Sequence, residues 1–213
     1  MLVWMGVLWV KLILLPSIGH VQRTPASLHA GQIAKAYLSF SNAGLKGRSL
    51  EVQPGATAHA AAFILAQKAG LNDATTWFVD DDTFAPDPRP KLVISGNVET
   101  ATEVSPEFAK ATLSFEFAAN IAVDAPPSAT PVAWTRGLRF DGTWAPNSPW
   151  HGAGGRIAFL DGHVEWFEKI STASRENSLS IYPLRENGGR PTSDIREALP
   201  PGAVILSAVP KGK

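Results

Sequence analysis

The chain has 213 residues, is 45% hydrophobic and 18% charged, and carries no formal net charge at pH 7. That composition suits a folded protein, and it excludes the broad basic field of a nucleic-acid-binding surface. The absence of cysteine excludes a disulfide framework, a Cys-ligated zinc and a thiol nucleophile. Seventeen prolines and eighteen glycines predict a loop-rich body with short strands.

In chain order, residues 1–15 form the most apolar run, interrupted only by Lys11. The run is shorter than the roughly 20 residues a spanning helix needs. Trp4 and Trp9 are interfacial-type anchors, so membrane insertion is expected here, with a buried core helix as the alternative. Nothing basic precedes the run, and Pro16-Ser17-Ile18-Gly19-His20 is a poor signal-peptidase site. An amphipathic helix follows from about Ala26 to Ala43, with Leu28, Ile33, Tyr37 and Phe40 near helical spacing. Pro16 and Pro25 are kink points, and Gly44 and Gly47 end the helix.

Gly55 to Lys68 is alanine-rich and predicts a second helix that stops at Ala69-Gly70. Trp77-Phe78-Val79 reads as a short strand or buried anchor. Pro86, Pro88 and Pro90 make a loop, and Lys91 to Ser95 a possible strand. From Leu113, residues alternate with Leu113, Phe115 and Phe117 on one side, which predicts a strand. Pro131 to Thr135 is another. Phe140 to Trp144 carries an Asp-Gly turn and suggests a small loop hairpin.

His151 to Phe167 holds the strongest local signal. Asp161-Gly162 sits between two strand-forming runs and predicts a hairpin with a two-residue turn. That turn would pair Leu160 with His163, Phe159 with Val164, Ala158 with Glu165 and Ile157 with Trp166. Ile157, Phe159, Val164 and Trp166 would then share one apolar face. Beyond Phe167, Arg185 to Pro191 reads as loop, Thr192 to Leu199 as a short helix, and Ala203 to Val209 as an edge strand. An antiparallel sheet of three to five strands results.

Several residues could carry chemistry. His151, Asp161 and His163 are the candidate ligands for Zn²⁺ or another divalent ion. The competing expectation is that Asp161 makes the turn and the histidines serve loop and surface. Asp80, Asp81 and Asp82, with Asp73 and Asp87 near, could offer oxygen ligands to Ca²⁺, but lack the spacing of a known calcium loop. Ser148, His151 and Asp161 could form a triad on paper, yet no Gly-x-Ser-x-Gly elbow is present. Gly152 to Gly155 lacks the Lys-Ser/Thr of a phosphate loop. Trp134, Trp144, Trp150 and Trp166 could line a glycan- or peptide-binding surface, or simply pack. The residues therefore predict no catalytic group, no resident cofactor and no metal.

His151, nine residues, then Asp161-Gly162 resembles the C-terminal His-x9-Asp-Gly signature of bacterial pilin-like, pseudopilin-type proteins, of the kind abundant in Planctomycetes and Verrucomicrobia. Leu12-Ile13-Leu14-Leu15-Pro16 is similar to the end of that family's hydrophobic helix. Gln32-Ile33 to Gly47-Arg48 is similar to its amphipathic continuation. Pro131 to Leu138 and Gly155 to Trp166 resemble its globular strands. The family's basic leader and Phe-Thr-Leu-Ile-Glu start are not found at Met1.

The resemblance implies an α+β fold, a long, kinked N-terminal helix packed on a small antiparallel sheet head. Residues 1–45 would be a hydrophobic then amphipathic helix serving as membrane anchor and filament core. Residues 46–213 would be the head, with the hairpin over 155–167 and a loop-rich C-terminal extension. His151, Gly154, Gly155, Asp161 and Gly162 would be structural. The implied function is a non-enzymatic subunit of a cell-envelope filament or type II secretion-like assembly, joined to other pilin-like subunits through the N-terminal helix. It would sit in the inner membrane with its head in the periplasm, or in an extracellular filament, without nucleic acid. Some major pseudopilins carry a structural calcium, which lends the Asp80 to Asp82 run family support as a Ca²⁺ site, but the favoured reading of that run is an acidic solvated turn and no cofactor is expected. The alternative is a secreted or periplasmic module that binds a glycan or peptide through the Trp-rich head.

Overall fold

The computed structural model describes residues 25–43, 49–170, 184–185 and 191–210. The first element, α1 (Pro25–Asn42), buries Ala26, Ala30, Ile33, Ala34, Tyr37 and Phe40 and leaves Gln32, Lys35 and Ser39 in solvent. That is one apolar stripe at helical period. Pro25 suits a helix start, where its missing N–H has no intrahelical partner to lose. Helix α2 (Ala58–Ala69) ends at Gly70, whose φ of 73° lets its N–H reach back to the Leu65 carbonyl. A 3-10 turn (Ala74–Trp77) follows, with Asp73 accepting from the Thr75 N–H. Trp77, Phe78 and Val79 are then buried as an anchor. The short helix α3 (Pro106–Lys110), capped by Ser105, was not anticipated from sequence.

The strands are β1 (Phe115–Ala119), β2 (Pro131–Thr135), β3 (Gly155–Phe159), β4 (Val164–Phe167), β5 (Leu184–Arg185), β6 (Pro191–Thr192) and β7 (Val204–Leu206). Five form one antiparallel sheet in the order β4-β3-β2-β1-β7, and β5 pairs with β6 separately. The register aligns Phe117, Ala133, Ala158 and Val164 in one row across four strands. This row faces α1. Tyr37 packs against Phe117 with ring centroids 5.8 Å apart, and a Cβ at Gly31 would lie 3.5 Å from Val164. The small residues Ala30, Gly31 and Ala34 therefore let the helix axis approach the sheet closely.

The expected long, kinked helix on a small head is corrected. The described residues contain three α-helices, the longest 18 residues, and the sheet has five strands. At 1.5 Å per residue α1 spans roughly 27 Å, and it is one layer laid on the sheet. Its stripe reaches from Ala26 to Phe40, so nearly its whole length is held by the body. The expected inner-membrane placement is corrected as well: among the described residues no helix is long and apolar enough to cross a membrane. The polar side of α1, with Gln32 and Lys35, is the physical reason. The apolar run 1–15, and Gly44 and Gly47, lie outside the described residues.

The hairpin forms, but its register is shifted by one residue. Gly155 pairs with Phe167, Arg156 with Trp166, Ile157 with Glu165 and Ala158 with Val164. The turn is a three-residue loop, Leu160-Asp161-Gly162, with Gly162 at φ 88° and its N–H bonded to the Phe159 carbonyl at 2.9 Å. Tertiary contacts select it. Leu160 is buried and donates its N–H to Thr130, while Asp161 donates its own to Pro127. Leu160 is thereby withdrawn from pairing with His163. A one-residue slip moves every side chain of one strand to the other face. Val164 and Trp166 now share a face with Arg156 and Ala158, and Phe159 stacks on His163 with centroids 4.2 Å apart.

Elsewhere, the segment near Lys91 to Ser95 makes one bridge, Asp73 to Leu92, and no strand. The helix expected over 192–199 is a set of turns, since Thr192 is engaged in β6 and Asp194 accepts from the Arg196 N–H. The second Asp-Gly turn closes with a Leu138–Trp144 bridge.

Candidate functional site

The residues of the His-x9-Asp-Gly motif shape the backbone. His151 adopts φ 53°, a left-handed conformation, and donates its N–H to the Ser148 carbonyl at 3.0 Å. The Ser148 Oγ accepts from Gly152 N–H at 3.0 Å. A Cβ on Gly154 would lie 2.6 Å from the Phe167 carbonyl oxygen. One on Gly155 would lie 2.1 Å from Trp144 Nε1 and 2.2 Å from Thr135 Oγ1. Thr135 Oγ1 accepts from both Trp144 Nε1 (3.2 Å) and the Arg156 N–H (3.0 Å), so the loop is sewn to the sheet where the glycines leave room. At the other end, Asp161 accepts from the His163 N–H at 3.1 Å and pairs with the His163 ring.

The candidate metal ligands are not brought together. His151 precedes β3 and Asp161 follows it, so the whole five-residue strand, roughly 16 Å, stands between them. Asp161 and His163 meet each other at the turn, half exposed. Among the described residues no three His, Asp or Glu side chains converge on a point that could hold an ion. The Ser148, His151 and Asp161 triad fails for the same reason: Ser148 is fully buried and its hydroxyl faces Gly152.

The acidic run is divided among separate tasks. Asp80 pairs with Arg89 at 2.6 Å, Asp81 is exposed, and Asp73 caps the 3-10 turn. Asp82 is buried. Its Oδ1 and Oδ2 accept from Arg136 Nη2 (2.8 Å) and Nη1 (3.0 Å), and Oδ2 also accepts from Ser114 Oγ at 2.6 Å. Arg136 further donates to the Leu113 and Asn147 carbonyls. The carboxylate that a calcium would need is thus already neutralised by a fork-on-fork pair. Composition and spacing gave no sign of this pair, because its members are far apart in sequence and each looks like a surface residue alone.

Two other buried titratable groups matter. Burial pushes the Glu116 carboxyl up to about 7, while Trp134 Nε1, donating at 2.8 Å, and the charge of Arg136 oppose the rise. Burial lowers the His59 pKa; its ring donates from Nε2 to the Ala111 carbonyl and accepts from Thr57 at Nδ1.

Of the four tryptophans, Trp134 and Trp144 are core. Trp150 and Trp166 meet edge to face at 4.9 Å and line a hollow of about 440 Å³ with Pro25, Val79, Asp81 and Arg156. Arg156 lies 5.4 Å from the Trp166 ring centroid, in cation–π range. Burial lowers its guanidinium pKa from the ordinary arginine value. A second hollow, of about 350 Å³, opens on the other side of Arg156 between α1 and β4. The register shift made this site: it carried Trp166 and Val164 to the face of Arg156. No protein-family model, curated protein or solved structure matches the chain.

Proposed function

We propose that the chain is a non-enzymatic, pilin-like subunit of a multi-subunit assembly of the filament or type II secretion-like kind. The observation that supports this reading is how the motif residues are used. His151 turns the loop, Gly154 and Gly155 admit Phe167 and Trp144, and Asp161 and Gly162 close the hairpin. Each is engaged in backbone geometry, as expected of a signature that builds a head. The seating of α1 on the sheet through small residues adds to it, because a helix so held presents a fixed outer face, with Leu28, Gln32, Lys35 and Ser39, to other subunits. The partners in this reading are further pilin-like chains.

The test is in-cell cross-linking of the full chain through Lys35 with an amine-reactive reagent, together with electron microscopy of the sheared material. A ladder of regular oligomers that Lys35→Arg abolishes supports the assembly. A chain that remains a single species in both experiments overturns it.

A further inference from the structure

The two hollows share Arg156 in their linings, and each lies between α1 and the hairpin face that carries Arg156, Val164 and Trp166; the pair is termed the groove. Strand β4 runs along it as the edge of the five-stranded sheet. The Phe159 N–H bonds the His163 carbonyl at 3.0 Å, so residues 163, 165 and 167 exchange bonds with β3. The N–H and C=O groups of Val164 and Trp166 therefore point away from the sheet. Their side chains, on the same two residues, point into the groove. Edge strands with open polar groups are templates for another strand.

The groove also holds an unmet donor. Arg156 Nε is buried and makes no hydrogen bond among the described residues. It lies where the two hollows meet. Side-on recognition of a carboxylate uses Nε and one Nη of a guanidinium. Lys35 adds a second positive charge from α1, while Leu28, Val164 and Trp166 supply apolar contact. Of the two acids that line the hollows, Asp80 is paired with Arg89 and Asp81 lies at the far end, while Glu165 of β4 sits opposite Ile157 on the other face of the sheet.

We propose that the β4 edge and the α1 groove bind an extended, acidic peptide segment of a partner protein, which adds as a sixth strand beside β4. One of its carboxylates pairs with Arg156 and its neighbouring apolar side chains lie on Val164 and Trp166. The four residues of β4 set the length, about 13 Å, or four to five residues of strand. Within the assembly reading the segment belongs to a neighbouring subunit, but the groove does not depend on that reading and is tested apart from it.

The probe is a blocked heptapeptide, acetyl-Thr-Val-Thr-Glu-Thr-Val-Thr-amide, which places Val, Glu and Val on one face. Binding to the full chain is followed by tryptophan fluorescence and by hydrogen exchange. Saturable binding is expected, with new protection at the Val164 and Trp166 amides. Replacing the peptide's Glu by Lys, N-methylating its pairing edge, or introducing Arg156→Gln should each weaken binding about tenfold or more. The two peptide changes keep the test decisive should Arg156→Gln perturb folding. Absence of binding overturns the proposal. So does equal binding of the Lys or N-methylated peptide, or competition by glutarate alone at the same concentration as the peptide. Protection of Val164 and Trp166 in the peptide-free chain also overturns it, since the edge would then be covered by the chain itself.

Discussion

Asp82 and Arg136 form a bidentate ion pair, 2.8 Å at its shorter arm, across 54 residues of sequence, and both side chains are almost completely buried. The pair joins the loop after the 3-10 turn to the end of β2. Through Leu113 and Asn147 it also touches the start of β1 and the motif loop. Every polar atom of the Asp82 carboxylate has a donor, from Arg136, Ser114 and the Phe84 N–H. A buried network satisfied to this degree is costly to break from one side.

Arg136→Met should therefore destabilise the protein by about 3–5 kcal/mol, because it leaves the Asp82 charge buried and uncompensated. Adding Asp82→Asn should recover part of that loss. Urea denaturation checks both, as a lower midpoint at unchanged slope for the single variant and a partial return for the double.

Gly155→Ala should be among the most damaging single-methyl changes. The added carbon would sit 2.1 Å from Trp144 Nε1 and 2.2 Å from Thr135 Oγ1, inside the hydrogen bond that ties the motif loop to β2. Overpacking of this kind costs on the order of 1–3 kcal/mol, and here the bond is lost as well. A fall in melting temperature with a changed Trp144 indole proton shift is the expected result; an unchanged indole shift would show that the loop is not held there.

Gly31→Ala has the opposite sign. Its Cβ would meet Val164 at 3.5 Å and the Gly162 carbonyl at 3.9 Å, ordinary contact distances. Alanine is favoured over glycine in a helix interior by about 0.5–1 kcal/mol. A rise in thermal stability of that size is expected by calorimetry.

The two buried titratable groups work against each other. The folded-state pKa of Glu116 is raised from 4.5 to about 7, so the folded state binds the proton more tightly. Its burden on stability is absent below about 4.5, grows as pH rises, and is complete above about 7, where it reaches roughly 3 kcal/mol. His59 has a lowered pKa, so the unfolded state takes the proton first and stability falls as pH drops below about 6.5. Glu116→Gln keeps an acceptor for Trp134 and removes the first effect. The variant should gain stability over wild type at pH 8 and match it near pH 4, leaving the rise in stability with pH that His59 contributes. Chemical denaturation at several pH values measures this, and an equal gain at pH 4 and pH 8 would contradict it.

Several individual elements were legible in the sequence, although the way they are layered was not. The stripe of α1, expected over 26–43 and found at Pro25–Asn42, follows from residue spacing. The stop of α2 at Gly70 follows from glycine's access to positive φ. Strand β2 occupies the residues expected, and β1 and β7 lie within the segments expected. Only the structure shows which atoms fill the space beside Gly154 and Gly155, the Phe167 carbonyl at the first and Trp144 with Thr135 at the second.

Local sequence determined where the chain turns helical, where it extends and where it reverses, because backbone propensity, side-chain period and turn chemistry act over a few neighbouring residues. The tertiary structure alone decided the hairpin register, the Asp82–Arg136 pair and the groove beside Arg156. Burial of Leu160 against the Pro127–Thr130 loop outweighed the tight turn that Asp161-Gly162 favours locally, and that single-residue shift placed Trp166 and Val164 beside Arg156. Such choices depend on contacts between segments tens of residues apart, whose energies are absent from any short window of the chain.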